Sequence, residues 1–430
     1  MRERPLLSAQ PVVAQALKSE MSTPIPFVVS ERQLGHPGPI SPALRIQEAH
    51  SWSELQLLSP SWNDLVHRSG RGIFSTLEFC QAWWAAYGEG HGELFCLACL
   101  DPDGECVGIA PFWRTAIHGR RVLRLIGDGS DDVDGFDLIV RPGYEEACAG
   151  EWLRWLDTHL DTWDILELNS VPAESGALEQ LRFAARPYGW VEQSSQVSHR
   201  MIELNAEWTT YVASLSKKMR GTISHQLRSM QAQYQVVARR CLSLQEALIW
   251  LDKLESWQHV RWTEREIGPK LTVEARRRFY QNLVTALGRR GWLDFWGLFA
   301  DGEVVAVELG CRLGDQRTGL HPGFDPDMAR FSPGLVLRVM MLKELMAEGV
   351  ARYDFGAGDE TYKIRWSNTL KHFAHVRLAR PRTRASYEIR VTLAAERIRK
   401  RLRNLLPAFA YDSLRFVYRG TAAVLGRRPL

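Results

Sequence analysis

The feature that most constrains this chain is a pair of apolar runs joined by a tight Asp-Gly turn, present twice. Glu93–Leu100 and Cys106–Arg114 flank Asp101-Pro102-Asp103-Gly104, and Trp292–Phe299 and Val304–Cys311 flank Ala300-Asp301-Gly302-Glu303. Two apolar runs around such a turn predict a β-hairpin. The Asp-Gly pairs lie 198 residues apart. Asp164 and Asp354, each in a short strand after a predicted helix, lie 190 apart. Repetition at that distance points to duplicated domains rather than a solenoid.

The second copy carries the motifs that bear chemistry. After its hairpin come a short strand, Arg317 to His321, then a loop, a helix and the strand Ala351 to Phe355. The helix has a well-formed start, with Ser332 at the N-cap and Pro333 in the first helical position, and Gly349 ends it. Leu335, Val336, Val339, Met340, Leu342, Leu345 and Met346 recur at helical spacing and predict one wide buried face. No acidic residue stands nearer to the helix start than Asp327. Its free N–H groups, around Ser332, Gly334 and Leu335, therefore suit a phosphate or pyrophosphate, although an ordinary capped helix gives the same signal. The strand then runs into Gly356-Ala357-Gly358-Asp359, followed by Tyr362, Lys363 and Trp366. A loop carrying Asp and Lys at a strand's carboxyl end is where α/β folds place their chemistry. A tight turn with a solvated lysine is the plainer reading of the same residues.

The order strand–hairpin–strand–strand–helix–strand–turn resembles the core of a GNAT acyltransferase. The motifs themselves, SPG before the helix and YDFGAGDETYKIRW after it, are similar to those of the GNAT-type acyltransferases of cellulose and exopolysaccharide biosynthesis. That branch is related to the FemAB-like peptidyltransferases. The resemblance runs from about Leu44 to about Arg380. It implies an α/β fold of two tandem GNAT-like domains with a helical connector, in which acyl-CoA lies across a splayed sheet and its pyrophosphate meets the helix start. The expected division is a disordered tail (1–43), a first, non-catalytic domain (44–205), a basic helical connector (206–290), a catalytic domain (291–381) and a basic amphipathic helix (382–430).

The first copy supports this division. Val122–Ile126 and Phe136–Val140 read as strands, Tyr144–Leu160 as a helix with Trp152, Leu153, Leu156 and Leu160 inward, and Trp163–Asn169 as the counterpart of the strand before Gly356. It lacks both SPG and GDxxYK, so it is expected to shape the cleft rather than to react. Its acidic loop, Asp128 to Gly135, contains Asp132 and Asp134 and is the best acceptor-side candidate of the first half. The loop lacks the spacing and terminal Glu of an EF-hand, and a solvated acidic loop explains it as well. No metal is expected elsewhere either, because the seven cysteines lack metal-ligand pairing. Between the copies, Ser214–Tyr234 carries Lys217, Lys218, Arg220, His225 and Arg228, which could meet donor phosphates or simply face solvent.

A net charge of +4 is too small to argue for specific nucleic-acid binding. No run of 18 or more apolar residues predicts a membrane span, and the start of the chain lacks the apolar core of a secretory signal. An odd cysteine count without an export signal points to the reducing cytoplasm. The tail is the basic exception: residues 382–430 hold 12 Lys+Arg against 3 Asp+Glu. Ile389, Leu393, Ile398, Leu402 and Leu405 recur there at amphipathic spacing. Such a helix lies on an anionic membrane surface, binds an acidic partner, or packs on the second domain with a charged outer face.

Acyl transfer from a thioester to an amine needs a neutral nucleophile, a stabilised oxyanion and a proton for the leaving thiolate. GNAT-type enzymes often use direct attack, and no GxSxG elbow is present. Asp359 is the expected acceptor-orienting or base residue. Lys363 is expected on donor phosphate or the developing oxyanion, or in a salt bridge to Asp359. His321 and Asp325, placed in the loop before the helix, are candidates for acceptor binding. His321 is also a candidate base because its ordinary pKa is near neutral. Tyr362 and Trp366 are expected at the substrate, packing rather than reacting. The expected activity is transfer of an acyl group, acetyl first, from acyl-CoA or an acyl carrier protein to an amine or hydroxyl of a sugar, envelope or polysaccharide precursor. Aminoacyl transfer from aminoacyl-tRNA, non-catalytic regulation of polysaccharide synthesis and a membrane-binding module stay open beside it.

Overall fold

The computed structural model describes residues 43–130, 133–263, 273–358 and 360–405. Among these, thirteen strands form one sheet. The first half supplies β1 (Arg45–Ala49), β2 (Glu93–Leu100), β3 (Cys106–Ile117), β4 (Arg120–Leu125), β5 (Ile139–Val140), β6 (Ile165–Pro172) and β7 (Val191–Glu203). The second supplies β8 (Val236–Arg240), β9 (Trp296–Ala300), β10 (Glu303–Leu313), β11 (Gln316–Phe324), β12 (Arg352–Asp354) and β13 (Thr369–Ala379). The sheet order is β1-β2-β3-β4-β6-β13-β7-β12-β11-β10-β9-β8, with β5 paired to β3 off this path.

This order has an internal symmetry. With β5 set aside, matching β1–β7 to β8–β13 makes it read the same from either end. The last strand of each half is exchanged: β13 lies against β6 and β7 against β12, and the two pair with each other along their whole length. Each half thus completes the sheet of the other. The expected mixed α/β fold with duplicated halves is present, and the exchange is a feature that no local pattern announces.

The helices are α1 (Trp52–Leu57), α2 (Ser59–Arg68), α3 (Leu77–Trp83), α4 (Glu145–Thr158) and α5 (Gly176–Ala185) in the first half. The second half has α6 (Trp208–Ser214), α7 (Lys217–Gln231), α8 (Leu244–Thr263), α9 (Val273–Arg290), α10 (Pro333–Ala347), α11 (Thr361–Trp366) and α12 (Arg384–Leu405). Central strands such as β10 (EVVAVELGCRL) are almost continuously apolar because both of their faces are buried. The stretch expected as a connector does more than link. Tyr211, Met219 and Ile223 of α6 and α7 share a core with α10, β8 extends the sheet beside β9, and Phe279 and Leu283 of α9 join the core of the first half.

Two local expectations differ from the structure. Leu160, expected inward, is 52% exposed, because α4 ends at Thr158 and His159 leaves the helical conformation at its C-cap. The segment before α10, read as a loop, contains a 3-10 turn, Pro326–Phe331, capped by the Asp325 side chain. Residues 1–42 and 406–430, on which most of the expected tail and part of the basic C-terminal helix fall, lie outside the described residues.

Candidate active site

The site forms where two parallel strands part. β11 and β12 pair only from Gln316–Thr318 to Arg352–Asp354. β11 continues to Phe324 against β10, while β12 ends and the chain turns away at Gly356 (φ +68°) and Gly358 (φ +100°). Side chains are strained at such φ values, which is why glycine stands there. The Asp354 carboxylate fixes the turn by accepting from Gly356 N at 2.8 Å. A cavity of about 260 Å³ occupies the splay, between Thr318–Pro322 on one side and Phe355–Ala357 on the other. Within it β11 has a bulge: Leu309 faces His321 and Gly310 faces Gly319, so Leu320 has no opposite number on β10.

The floor of the cavity is charged and buried. Glu308 of β10, 2% exposed, holds Arg317 at 2.8 Å and Arg338 at 2.7 Å and accepts from the Tyr353 hydroxyl. Arg317, fully buried, also binds Asp294 at 2.5 Å, and Asp294 holds Arg240 at 2.5 Å. Burial alone would raise the Glu308 carboxyl; Arg338 and Arg317 overcome it and keep the group below the usual carboxylate range. Burial and Glu308 together push the Tyr353 phenol up, so it stays a neutral donor. Gly310 and Gly319 make room for this network. A Cβ on Gly310 would meet Arg317 Nη2 at 2.7 Å, and one on Gly319 would meet the Tyr353 hydroxyl at 2.7 Å. Arg338 enters from the second turn of α10 and lies beneath the rings of Phe355 and Tyr362, 5.5 and 5.0 Å away.

Lys363, 4% exposed, reaches the cavity from α11; its ammonium donates to the Ala357 carbonyl and pairs with Glu360 at 2.9 Å. The partner is Glu360 among the described residues; Asp359, like Asp132, lies outside them. Tyr362 lines the cavity. Trp366 does not: it is 2% exposed in the core with α6 and α10, and its carbonyl accepts from the Tyr211 hydroxyl at 2.5 Å, so it is a packing residue.

His321 lies in β11 rather than in a loop, and it lines the cavity. Its Nε2 receives the Tyr280 hydroxyl and lies 3.2 Å from Arg276 Nη2. A guanidinium only donates, so Nε2 accepts and the ring's proton sits on Nδ1. Burial, with Arg276 and Lys363 nearby, pushes its pKa down to about 3, in place of the near-neutral value that made it a candidate base. Asp325 is spent on the 3-10 turn, accepting from Asp327 N at 3.0 Å. Ser332 holds the N-cap position of α10, but at φ +48° its side chain makes no capping bond. Ser332, Gly334 and Leu335 stand at the helix start, outside the ring of residues that lines the cavity, one turn before Arg338.

The opposite wall comes from the first half: Phe74, Val133 and Asp134. Asp134 accepts from Ser170, a residue at φ +53°, and lies 3.8 Å from His199 Nε2. Burial pushes the pKa of His199 down, with Asp134 and Asp354 acting against it. A smaller cavity of about 50 Å³, lined also by Arg71 and Lys371, shares Phe74, Asp134 and Thr318 with the first. The two cavities therefore meet at Asp134, the acidic-loop residue picked out by sequence.

Glu308, Arg317, Arg338 and Asp294 were not candidates on sequence grounds. The signal was present: a charge inside VVAVELGC and another inside GLVLRVMML must be buried and therefore paired. Among the described residues no cluster of His, Cys, Asp or Glu could hold a metal ion, and no helix is long and apolar enough to cross a membrane.

Residues 217–364 match the acetyltransferase (GNAT) domain family. That span runs from α7 to α11 and includes the second-half wall of the cavity. No curated protein matches the chain. Among solved structures, FemX superposes with a TM-score of 0.55 at 10% identity, over 76% of this chain and 96% of that one. L-PGS from Bacillus licheniformis gives 0.45 at 11% identity, over 77% and 95%. A tandem GNAT protein from the clavulanic acid biosynthesis pathway gives 0.43 at 11%, over 79% and 100%. The likeness to FemX shows a shared fold.

Proposed function

We propose that this chain, a GNAT-type acyltransferase of FemAB-like architecture, moves an acyl group from acyl-CoA to an amine or hydroxyl of a sugar, envelope or polysaccharide precursor. The observation that carries this reading is the open splay between β11 and β12, with a bulged strand on one side and a glycine turn on the other. A thioester entering the splay meets the backbone of Gly319–His321, where the bulge at Leu320 interrupts the regular pairing with β10 and a backbone N–H would serve the carbonyl oxygen. An acyl carrier protein would present the same pantetheine thioester.

The acceptor comes from the side of the first half. Its nucleophile attacks the thioester carbon, the tetrahedral oxyanion collapses, the C–S bond breaks, and the proton lost by the nucleophile ends on the thiol. Asp134, at the junction of the two cavities, orients the acceptor and takes its proton; Asp359, two residues before α11 in the sequence, shares this role. Lys363 adds positive charge near the oxyanion. At the helix start the Ser332 and Leu335 N–H groups are spent on the Ala329 and Ser332 carbonyls, so the donor's pyrophosphate would meet the Gly334 N–H and the positive end of the helix dipole. His321 is a neutral hydrogen-bonding wall and not the base. In this reading the first half serves as the acceptor-binding domain and the second as the donor domain.

The test is thiol release from acetyl-CoA and longer acyl-CoAs over a panel of amino sugars and nucleotide sugars. Acceptor-dependent release that falls at least about 100-fold in Lys363→Ala and Asp134→Asn supports the proposal. A second reading, aminoacyl transfer from aminoacyl-tRNA, is favoured by the FemX-like fold. Transfer of labelled amino acid from charged tRNA, with no CoA thioester consumed, would replace the first reading by the second.

A further inference from the structure

α12 presents two opposite faces. Its start is fixed by a reciprocal cap, Ser386 N to Thr383 Oγ1 and Thr383 N to Ser386 Oγ, both at 3.1 Å. One face packs on the sheet: Ala385 and Ile389, at most 2% exposed, lie against Val122, Ile165 and Ala379. The helix's two acidic residues also point at the body. Glu388 pairs with Arg120 at 2.5 Å, and Glu396 accepts from Gln193 Nε2 at 3.0 Å.

Among the described residues the other face meets nothing. Tyr387, Val391 and Ile398 are 72%, 55% and 58% exposed, and with exposed Ala394 they stand at i, i+4, i+7 and i+11, a single stripe along the helix. Arg390, Arg397 and Arg401 run along one side of the stripe and Arg384 lies on the other. Arg390, Arg397 and Arg401 have no ion-pair partner among the described residues, and Arg384 reaches only Glu388, at 3.6 Å. The acids are thus drawn inward, leaving an outer face of apolar side chains edged by arginines.

We propose that this face of α12 is a docking surface for an anionic lipid bilayer, holding the enzyme against a membrane with α12 lying in the interface. A stripe one residue wide, edged by cations, matches the boundary between acyl chains and anionic headgroups. A second copy of the chain fits poorly: two such faces in contact set arginine against arginine, with no outward carboxylate to compensate. This inference does not rest on the proposed reaction.

The test is co-sedimentation of the full chain with phosphatidylcholine vesicles, with and without phosphatidylglycerol, for the wild type, Val391→Glu/Ile398→Glu and Arg390→Glu/Arg397→Glu. Among the described residues these side chains make no packing contact or ion pair, so thermal melting should not change and serves as the folding control. The expected result is binding only to anionic vesicles, weakened by added salt and at least about tenfold weaker in each double variant. No binding, equal binding to neutral vesicles, or full binding by both variants would overturn the proposal. A concentration-dependent dimer in sedimentation velocity, lost in Val391→Glu/Ile398→Glu, would also overturn it and assign the face to a second copy.

Discussion

The two halves of the sheet repeat one plan and part company where their parallel strands separate. In the first half β4 and β6 pair at Val122–Arg124 and Ile165–Glu167, the counterpart of the β11–β12 pairing. Beyond that point the space is filled. Buried Asp128 accepts from Asn169 at 2.9 Å, Arg124 binds Glu167 at 2.7 Å, and the Phe136 ring lies where a side chain on Gly127 would have to go. In the second half the chain leaves the strand as Gly356-Ala357-Gly358, and a cavity remains. The same backbone plan is a plugged core in one copy and an open cavity in the other. Side-chain volume after the strand makes the difference. The plugged copy is not idle, because its acidic loop carries Asp134 to the edge of the open cavity.

The comparison can be broken first at the strand exchange. Residues 43–205 alone lack β13, and residues 206–405 alone lack β7, so each should fail to give a cooperative urea transition. Co-expression of the two fragments should restore one. A cooperative transition from either fragment alone would show that the halves are independent.

The next largest effect is expected at Glu308. Glu308→Leu leaves the Arg317 and Arg338 charges buried without their shared carboxylate and should cost about 3–5 kcal/mol in urea denaturation. An ion pair of the first half, Arg124–Glu167, is less buried and serves as the comparison: Glu167→Leu should cost only about 1 kcal/mol. Equal losses would mean that the charged floor is not special to the open half. Gly319→Ala tests the same floor from above. Its Cβ meets the Tyr353 hydroxyl, so a loss of about 1–3 kcal/mol, together with a fall in activity, is expected; Gly104→Ala, which meets no atom but sits at φ +85° on a surface turn, should leave activity intact.

The last comparison is in pH dependence, where the halves should respond with opposite sign. Burial, partly offset by Arg124, raises Asp128 to about 6. A raised carboxyl stabilises the fold fully below its unfolded value of 3.8, and this contribution is lost as pH rises to about 6. Asp128→Asn should therefore gain about 2 kcal/mol relative to wild type between pH 4 and pH 7. His321 is depressed to about 3, so its contribution is present above its unfolded value of 6.5 and is lost as pH falls toward 3. His321→Gln should flatten the acid limb of the stability profile and leave the alkaline side unchanged.

What could be read from the sequence follows from how local each signal is. The two hairpins, the Pro333 helix and the glycine turn at 356–358 are written in neighbouring residues, and all are present. The exchange of β7 and β13 is a pairing of strands more than 160 residues apart, and no local pattern encodes it. Lys363 and Trp366 share the buried side of α11, but the cavity reaches only as far as Lys363; spacing gave the shared side and not the depth. The strand expected to end at His321 continues through Pro322 and Gly323 to Phe324, so His321 lies inside β11. The buried ion network is less legible because each of its charges stands singly inside an apolar run and finds its partners on other elements.

The central claim is that the donor thioester binds in the open splay between β11 and β12. The most direct measurement is calorimetric titration of acetyl-CoA into wild type, Ala357→Trp, which fills the open splay, and Asn169→Leu, which alters only the plugged one. The account predicts micromolar binding to wild type and Asn169→Leu and none to Ala357→Trp. Binding that survives Ala357→Trp, or no binding of any CoA thioester to the wild type, would contradict it.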